Sequence, residues 1–223
     1  MPTKLILLGS SGMIGGGTLI EALENPEVES VLVVNRRPLE KKHPKIKELV
    51  LKDFFDVRSV SDQLKGYDAC LFCLGQSAVG MSEKDYHRIT YELTMAWAEE
   101  LLKANSNMRF IYVSGAGTDS TEKGSQMWAR VKGKTENALL KMHFRDVIMF
   151  RPGFIQPRKG IRSRTSWYNV VYTVFFPLYF LLYPFKGIVT DTTRLGRALV
   201  RAAIKGADKN IIQQRDINRL AQG

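Results

Sequence analysis

"LILLGSSGMIGGGTLIEAL", residues 5–23, joins an apolar run to a helix-like segment through a glycine-rich turn. Leu5 to Leu8 read as a buried strand that stops at Gly9. Gly9, Gly12 and Gly15 then recur every three residues. In a strand–turn–helix unit the first such glycine permits the tight turn. The second lets backbone approach a pyrophosphate, and the third lets the helix pack closely on the strand. The helix would meet a phosphate with its free N–H groups and the positive end of its dipole. Ser10 and Ser11 can add hydroxyl donors, and Met13 and Ile14 complete the turn. A plain connection would also use glycine. The position at the chain start, with strand before and helix after, favours nucleotide binding.

Outward from this unit, apolar runs alternate with helical patterns. "SVLVVNRRP", "KELVLKDF", "DACLFCLG", "MRFIYVSGAG" and "DVIMFRPGFI" follow as strands two to six. A long helix is expected from about Glu83 to Lys103, and another over "ARVKGKTENALLKM". Apolar strands without alternation suit a parallel sheet covered on both faces. Their alternation with helices predicts an α/β fold built on a doubly wound parallel sheet. Residues 1–157 are expected to form the nucleotide-binding core. Residues 158–223 would be a small helical cap, with a C-terminal amphipathic helix "TRLGRALVRAAIKG" and a last short strand in "KNIIQQRDI" completing the same domain.

Strand two ends in Asn35, Arg36 and Arg37. A site selective for NAD places a carboxylate here, on the ribose hydroxyls. A guanidinium instead hydrogen-bonds a 2′-phosphate in bidentate fashion. The residues therefore point to NADP(H). Asp53 and Phe54, at the end of strand three, are candidates for the adenine contact.

The chain has 223 residues, 44% hydrophobic and 25% charged, with a formal net charge of +11. That surplus attracts anions. Its densest stretches, "NRRPLEKKHPK" and "RKGIRSR", lack the basic helix with interleaved aromatics of a nucleic-acid binder, so no nucleic-acid partner is expected. Cys70 and Cys73 have C-x-x-C spacing, but residues three apart on a strand face opposite ways. Two structural thiols in a reducing compartment are expected. His43, His87 and His143 lie far apart, without metal-ligand spacing. With the first strand starting by Lys4, no cleaved signal peptide is expected, and an intracellular, cytoplasmic protein is anticipated. The aromatic segment 167–185 carries no charge but contains Pro177 and Pro184. It reads as short helices over the sheet, a wall of a hydrophobic substrate pocket, or a surface for peripheral membrane or protein contact that does not span a bilayer.

The motifs "GSSGMIGG", "NRRP", "DFFD", "CLGQSA", "YVSGAG", "VKGKTE" and "FRPGFI" occur in the order found in the short-chain dehydrogenase/reductase superfamily, over roughly residues 4–157. The chain resembles its atypical, epimerase-like branch, near the Tat-interacting oxidoreductase-like proteins. The resemblance implies a Rossmann fold, a nicotinamide cofactor and a small-molecule substrate. It implies that Cys73, Leu74 and Gly75 pass beside the cofactor. Ser114 would hold a substrate oxygen, and Lys132 the nicotinamide ribose. Pro152, Gly153 and Phe154 would form the turn beside the nicotinamide.

One position departs from the pattern. Trp128 stands four residues before Lys132, where the family has its proton-donating tyrosine. Indole N–H donates only and does not titrate usefully. Trp128 can wall a pocket but cannot replace a general acid–base. Tyr112 reads as core, and Tyr86 has no assigned place. Two functions stay open: an NADP-dependent oxidoreductase or epimerase-like enzyme on a small or hydrophobic carbonyl or alcohol, and a non-catalytic NADP(H)-binding redox sensor. Oligomeric state is left open.

Overall fold

A computed structural model describes residues 2–40, 42–161 and 189–222. The six expected strands are β1 (Thr3–Leu8), β2 (Val28–Asn35), β3 (Ile46–Val50), β4 (Ala69–Phe72), β5 (Arg109–Val113) and β6 (Asp146–Arg151). They pair in parallel in the order β3-β2-β1-β4-β5-β6, and β9 (Ile211–Gln213) adds the seventh strand beside β6. The order runs outward in both directions from β1 and β4, the arrangement of a doubly wound sheet. A crevice therefore opens beyond the carboxyl ends of β1 and β4, the usual ligand position in such sheets.

Each face of the sheet buries its own core. Leu5, Leu7, Val31, Val33 and Ile111 face one side, beneath α1 (Met13–Glu24) and α5 (Thr192–Lys205). Ile6, Leu8, Leu32, Val34 and Phe110 face the other. This second side is covered by α3 (Leu93–Ala104), α4 (Met127–Leu140) and a 3-10 stretch at Val57–Leu64. The alternation along β1 explains why its sequence is apolar throughout: both faces are inside. Cys70 belongs to one core and Cys73 packs against the other, and both thiols are free, as the strand geometry requires.

The sixth predicted strand is shorter than its apolar run. β6 stops at Arg151, and Phe154–Gln156 forms β7, which pairs with β8 (Val189–Asp191) in a separate two-stranded sheet. Pro152 has no N–H to continue the ladder. The end of the chain also extends the main sheet. α5 lies against α1, and Glu21 of α1 accepts from Arg197 at 2.8 Å and from Lys159 at 2.7 Å. Arg109 caps the other end of α5, donating to the Ala203 and Ile204 carbonyls at 3.2 and 2.8 Å while pairing with Asp146 at 2.7 Å. Only β9 of "KNIIQQRDI" is strand, since α6 (Gln214–Leu220) begins immediately after it. The uncharged segment 167–185 lies outside the described residues. Among the described residues no helix is long and apolar enough to cross a membrane.

Between β4 and β5 the expected long helix is present but changes pitch. α2 (Glu83–His87) passes into a π-helical turn at Arg88–Glu92 before α3. The Leu93 N–H reaches the Arg88 carbonyl, five residues back. Beyond this turn, Trp97 is fully enclosed, and its indole N–H donates to the Phe54 carbonyl at 2.9 Å, tying the loop after β3 to α3. Trp97→Ala should therefore lower unfolding free energy by about 3–5 kcal/mol, from lost packing together with an orphaned carbonyl. Urea denaturation checks it: the midpoint should fall with the slope unchanged.

Candidate functional site

Gly9 closes the turn after β1 with φ +84°, a conformation that favours glycine. A Cβ there would stand 2.7 Å from the Cys73 carbonyl carbon and oxygen, so the turn lies directly on the chain leaving β4. A Cβ at Gly15 would stand 2.2 Å from the Gly9 carbonyl oxygen. These contacts seat the first turn of α1 over the crevice. Gly12 caps the helix without a side-chain hydrogen bond, and no acidic residue occupies the first turn. The N–H groups of that turn and the positive dipole end are thus left for an anion.

Three adjoining clefts run from this point. Ser11, Asn35, Arg36, Arg37 and Glu40 line the first, with a volume of about 710 Å³. A narrow middle section is bounded by Gly9, Ser11, Gly12, Asn35, Phe54 and Gly75. The last, about 450 Å³, is walled by Met13, Ile14, Cys73, Leu74, Tyr86, Ser114, Trp128 and Lys132. Shared lining residues make the three one groove: Ser11, Asn35 and Arg36 join the first two, and Gly12, Cys73, Leu74 and Gly75 the last two.

The Ser10 hydroxyl is not free for a phosphate. Its proton goes to Asn35 Oδ1 at 2.8 Å, inside the protein. That bond turns the Asn35 amide, and its buried Nδ2 has no partner among the described residues. An unsatisfied buried donor on the wall of a groove is costly unless a ligand oxygen meets it. Arg36 and Arg37 are exposed, with no carboxylate partner among the described residues. The open helix end, the orphaned amide and the two guanidiniums fit a phosphorylated dinucleotide. Asp53 is placed differently: it is exposed, its Oδ1 accepts from the Phe55 N–H at 2.9 Å, and it does not line these clefts. Pro152, Gly153 and Phe154 also lie off the lining. The Pro152 carbonyl accepts from the Ala116 N–H, and the Gly153 N–H donates to Gln214 Oε1 at 2.7 Å.

At the far end, Lys132 is 7% exposed. It donates to Tyr112 Oη at 3.1 Å and to the Val113 carbonyl at 3.2 Å. Its ammonium lies 4.0 Å from where a Cβ at Gly75 would stand, so it faces the loop after β4. Burial lowers its pKa, opposed by the electrostatic influence of Tyr86 and of Glu136. Tyr112 is wholly enclosed, and burial raises its pKa. Trp128 is half-buried, with its ring 3.3 Å from where a Cβ on Gly117 would be. It forms a wall between the loop after β5 and the cleft.

Ser114 is less available than its motif suggests. Its hydroxyl lies 2.5 Å from Glu136 Oε1 and 3.1 Å from the Phe150 carbonyl. Its one proton is directed inward, and only its lone pairs face the cleft. Glu136 is completely buried and bound by the Arg151 guanidinium, which also donates to Ser120 at 2.6 Å. Sequence reasoning missed Glu136 and Asn35 Nδ2 as parts of this arrangement. It also left Tyr86 unplaced. A phenol one turn into the helix after β4 was the available signal, but the π-helical turn beside it was not readable.

The NAD(P)H-binding family model matches residues 9–164. The chain belongs to this family. HTATIP2 and FMP52 proteins are among its relatives. Protein FMP52, mitochondrial, of Debaryomyces hansenii is 26% identical over 191 residues, 81% of each chain. Protein HTATIP2 of Rattus norvegicus is 27% identical over 155 residues, 68% of this chain and 62% of that one. The Bordetella bronchiseptica enzyme WbmF in complex with NAD+ superposes with a TM-score of 0.68 at 16% identity, over 99% of this chain and 76% of that one. A short chain dehydrogenase from Burkholderia cenocepacia in complex with NADP gives 0.68 at 17%, over 99% and 92%. These two likenesses share the fold.

Two outcomes follow from the buried groups. Burial lifts the Cys73 thiol to about 12, partly countered by a hydrogen bond to Thr18. Thiolate is the nucleophile, so iodoacetamide should label Cys73 poorly at neutral pH, and labelling should climb only on approach to pH 12. Mass spectrometry of a pH series checks this. Removing Glu136 leaves the enclosed Arg151 unpaired, so Glu136→Ala should cost about 3–5 kcal/mol in chemical denaturation.

Proposed function

We propose that this protein is an NADP(H)-dependent oxidoreductase or epimerase-like enzyme acting on a small or hydrophobic carbonyl or alcohol. The observation that carries the reading is a single groove leading from Asn35, Arg36 and Arg37, past the open end of α1, to Lys132. The pyrophosphate would sit on the N–H groups of residues 13–15. The 2′-phosphate would take the guanidiniums of Arg36 and Arg37, with Asn35 Nδ2 donating to an adjacent oxygen. Phe54 would face the adenine. Lys132 would hold the nicotinamide ribose, using the N–H left over from Tyr112 and Val113. When bound, the cofactor supplies or accepts a hydride. The chain's part is to orient the substrate between Trp128 and the loop Cys73–Val79, and to exclude water from the inner cleft. With its proton turned to Glu136, Ser114 offers an acceptor, which suits a substrate hydroxyl.

Calorimetry with both cofactors tests the specificity. NADPH should bind more tightly than NADH. Arg36→Ala should weaken NADPH on the order of 10- to 100-fold, the effect of losing a charge-assisted contact, and NADH little. Equal affinities, unchanged in the variant, would sink the assignment. NADPH oxidation against a panel of aldehydes and ketones tests turnover. Trp128 in the tyrosine position favours a second reading, a sensor that binds NADP(H) without turnover; tight binding with no oxidation across the panel would select it. We also infer an intracellular, reducing compartment from the two free thiols. Because the Debaryomyces relative is named as mitochondrial, imaging of a tagged chain against a mitochondrial marker decides between cytosol and organelle.

A further inference from the structure

Among the described residues, the cleft that holds Lys132 is lined by one phenol, Tyr86, which no motif singles out. It is 3% exposed, yet it forms part of the wall together with Ser114, Trp128 and Lys132. The other lining groups are poor acids for a substrate oxygen. The Trp128 N–H does not titrate usefully, and the Ser114 proton is held by Glu136. The Cys73 thiol stays protonated up to about pH 12, and Lys132 spends two of its three N–H bonds on Tyr112 and Val113. Tyr112 is enclosed in the core and does not line the cleft.

Tyr86 is also held in place. On one side of it in sequence, Glu83 pairs with Arg130 at 2.7 Å. On the other, His87 Nε2 lies 3.0 Å from Lys134 Nζ, which sits 4.7 Å from the Tyr91 ring centre. Asp85 accepts from the Ser82 hydroxyl at 2.6 Å. Glu83, Asp85 and His87, flanking Tyr86 on α2, therefore have partners, and two of those partners are on α4, the helix that carries Lys132. The π-helical turn that follows Tyr86 changes the helix register directly after it, a feature frequent at functional sites.

We infer that Tyr86 is the catalytic acid–base of this cleft, supplying the phenol that Trp128 lacks. The inference rests on the enzymatic reading above. In carbonyl reduction the Tyr86 O–H bond breaks as an O–H bond forms on the substrate oxygen, the hydride for the new C–H bond being supplied by the reduced nicotinamide nucleotide. A solvent proton then restores the phenol. In alcohol oxidation the phenolate takes the hydroxyl proton. Lys132 lines the same cleft, so a cation shares it with the phenol.

Tetranitromethane nitration mapped by mass spectrometry tests the placement without turnover. Tyr86 should be nitrated while Tyr112 is not, NADPH should shield it, and Lys132→Met should slow it. Nitration of Tyr86 that NADPH leaves unchanged overturns the inference. Single-turnover kinetics test the role. Tyr86→Phe should slow reduction about 100- to 10,000-fold, the contribution of a positioned general acid, with NADPH affinity by calorimetry unchanged. Adding Trp128→Tyr to that variant should recover rate, because it returns a phenol four residues before Lys132. A parent chain that reduces carbonyls, with Tyr86→Phe equally fast, overturns the inference alone. A parent chain that binds NADPH and reduces nothing overturns the enzymatic reading beneath it.

Discussion

No side chain fits between the start of α1 and the turn after β1: a Cβ on Gly15 would fall 2.2 Å from the Gly9 carbonyl oxygen. That contact fixes the first helix against the sheet where the strand order reverses. It aims uncapped backbone N–H groups at the crevice, with no carboxylate to neutralise them. Gly9 in turn rests on Cys73, so the same contact sets the floor of the groove below β4. Everything assigned to cofactor binding depends on this seat. The guanidiniums of Arg36 and Arg37 matter only because the neighbouring phosphate position is already defined.

The opposite end of the groove is organised by buried charge. Lys132 is kept inside by two oxygens, and Glu136 by Arg151 and Ser114. Such pairs are costly to bury and costly to break, so they hold one geometry rather than add net stability. Here that geometry turns the Ser114 proton inward and leaves an acceptor facing the cleft. The same region places Tyr86 on the wall of the cleft that Lys132 lines. The cleft thus retains a cation and a phenol even though the phenol comes from a different helix than in the family pattern.

Much of the fold was legible because its signals are local. Apolar runs of four to eight residues, the glycine spacing and the amphipathic helix over residues 192–205 each follow from the neighbours in sequence. β6 was overextended because its apolar run continues through Pro152, whose missing N–H ends the ladder while hydrophobicity persists. The site was legible only in part. Arg36 and Arg37 could be placed from the end of β2. The commitment of Ser10 to Asn35, and of Ser114 to Glu136, joins residues 25 and 22 positions apart and has no local pattern. Tyr86 escaped for a similar reason: its place depends on the π-helical turn and on partners from α4.

The central claim is that one groove binds NADP(H) with its reactive end at Lys132 and Tyr86. A crystal structure with NADPH tests it most directly. The pyrophosphate should lie on the N–H groups of residues 13–15 and the 2′-phosphate on Arg36 and Arg37. Asn35 Nδ2 should be hydrogen-bonded to the nucleotide, and the nicotinamide should face Lys132 with the Tyr86 hydroxyl beside it. A nucleotide bound elsewhere, or one whose nicotinamide points away from Lys132, would contradict it.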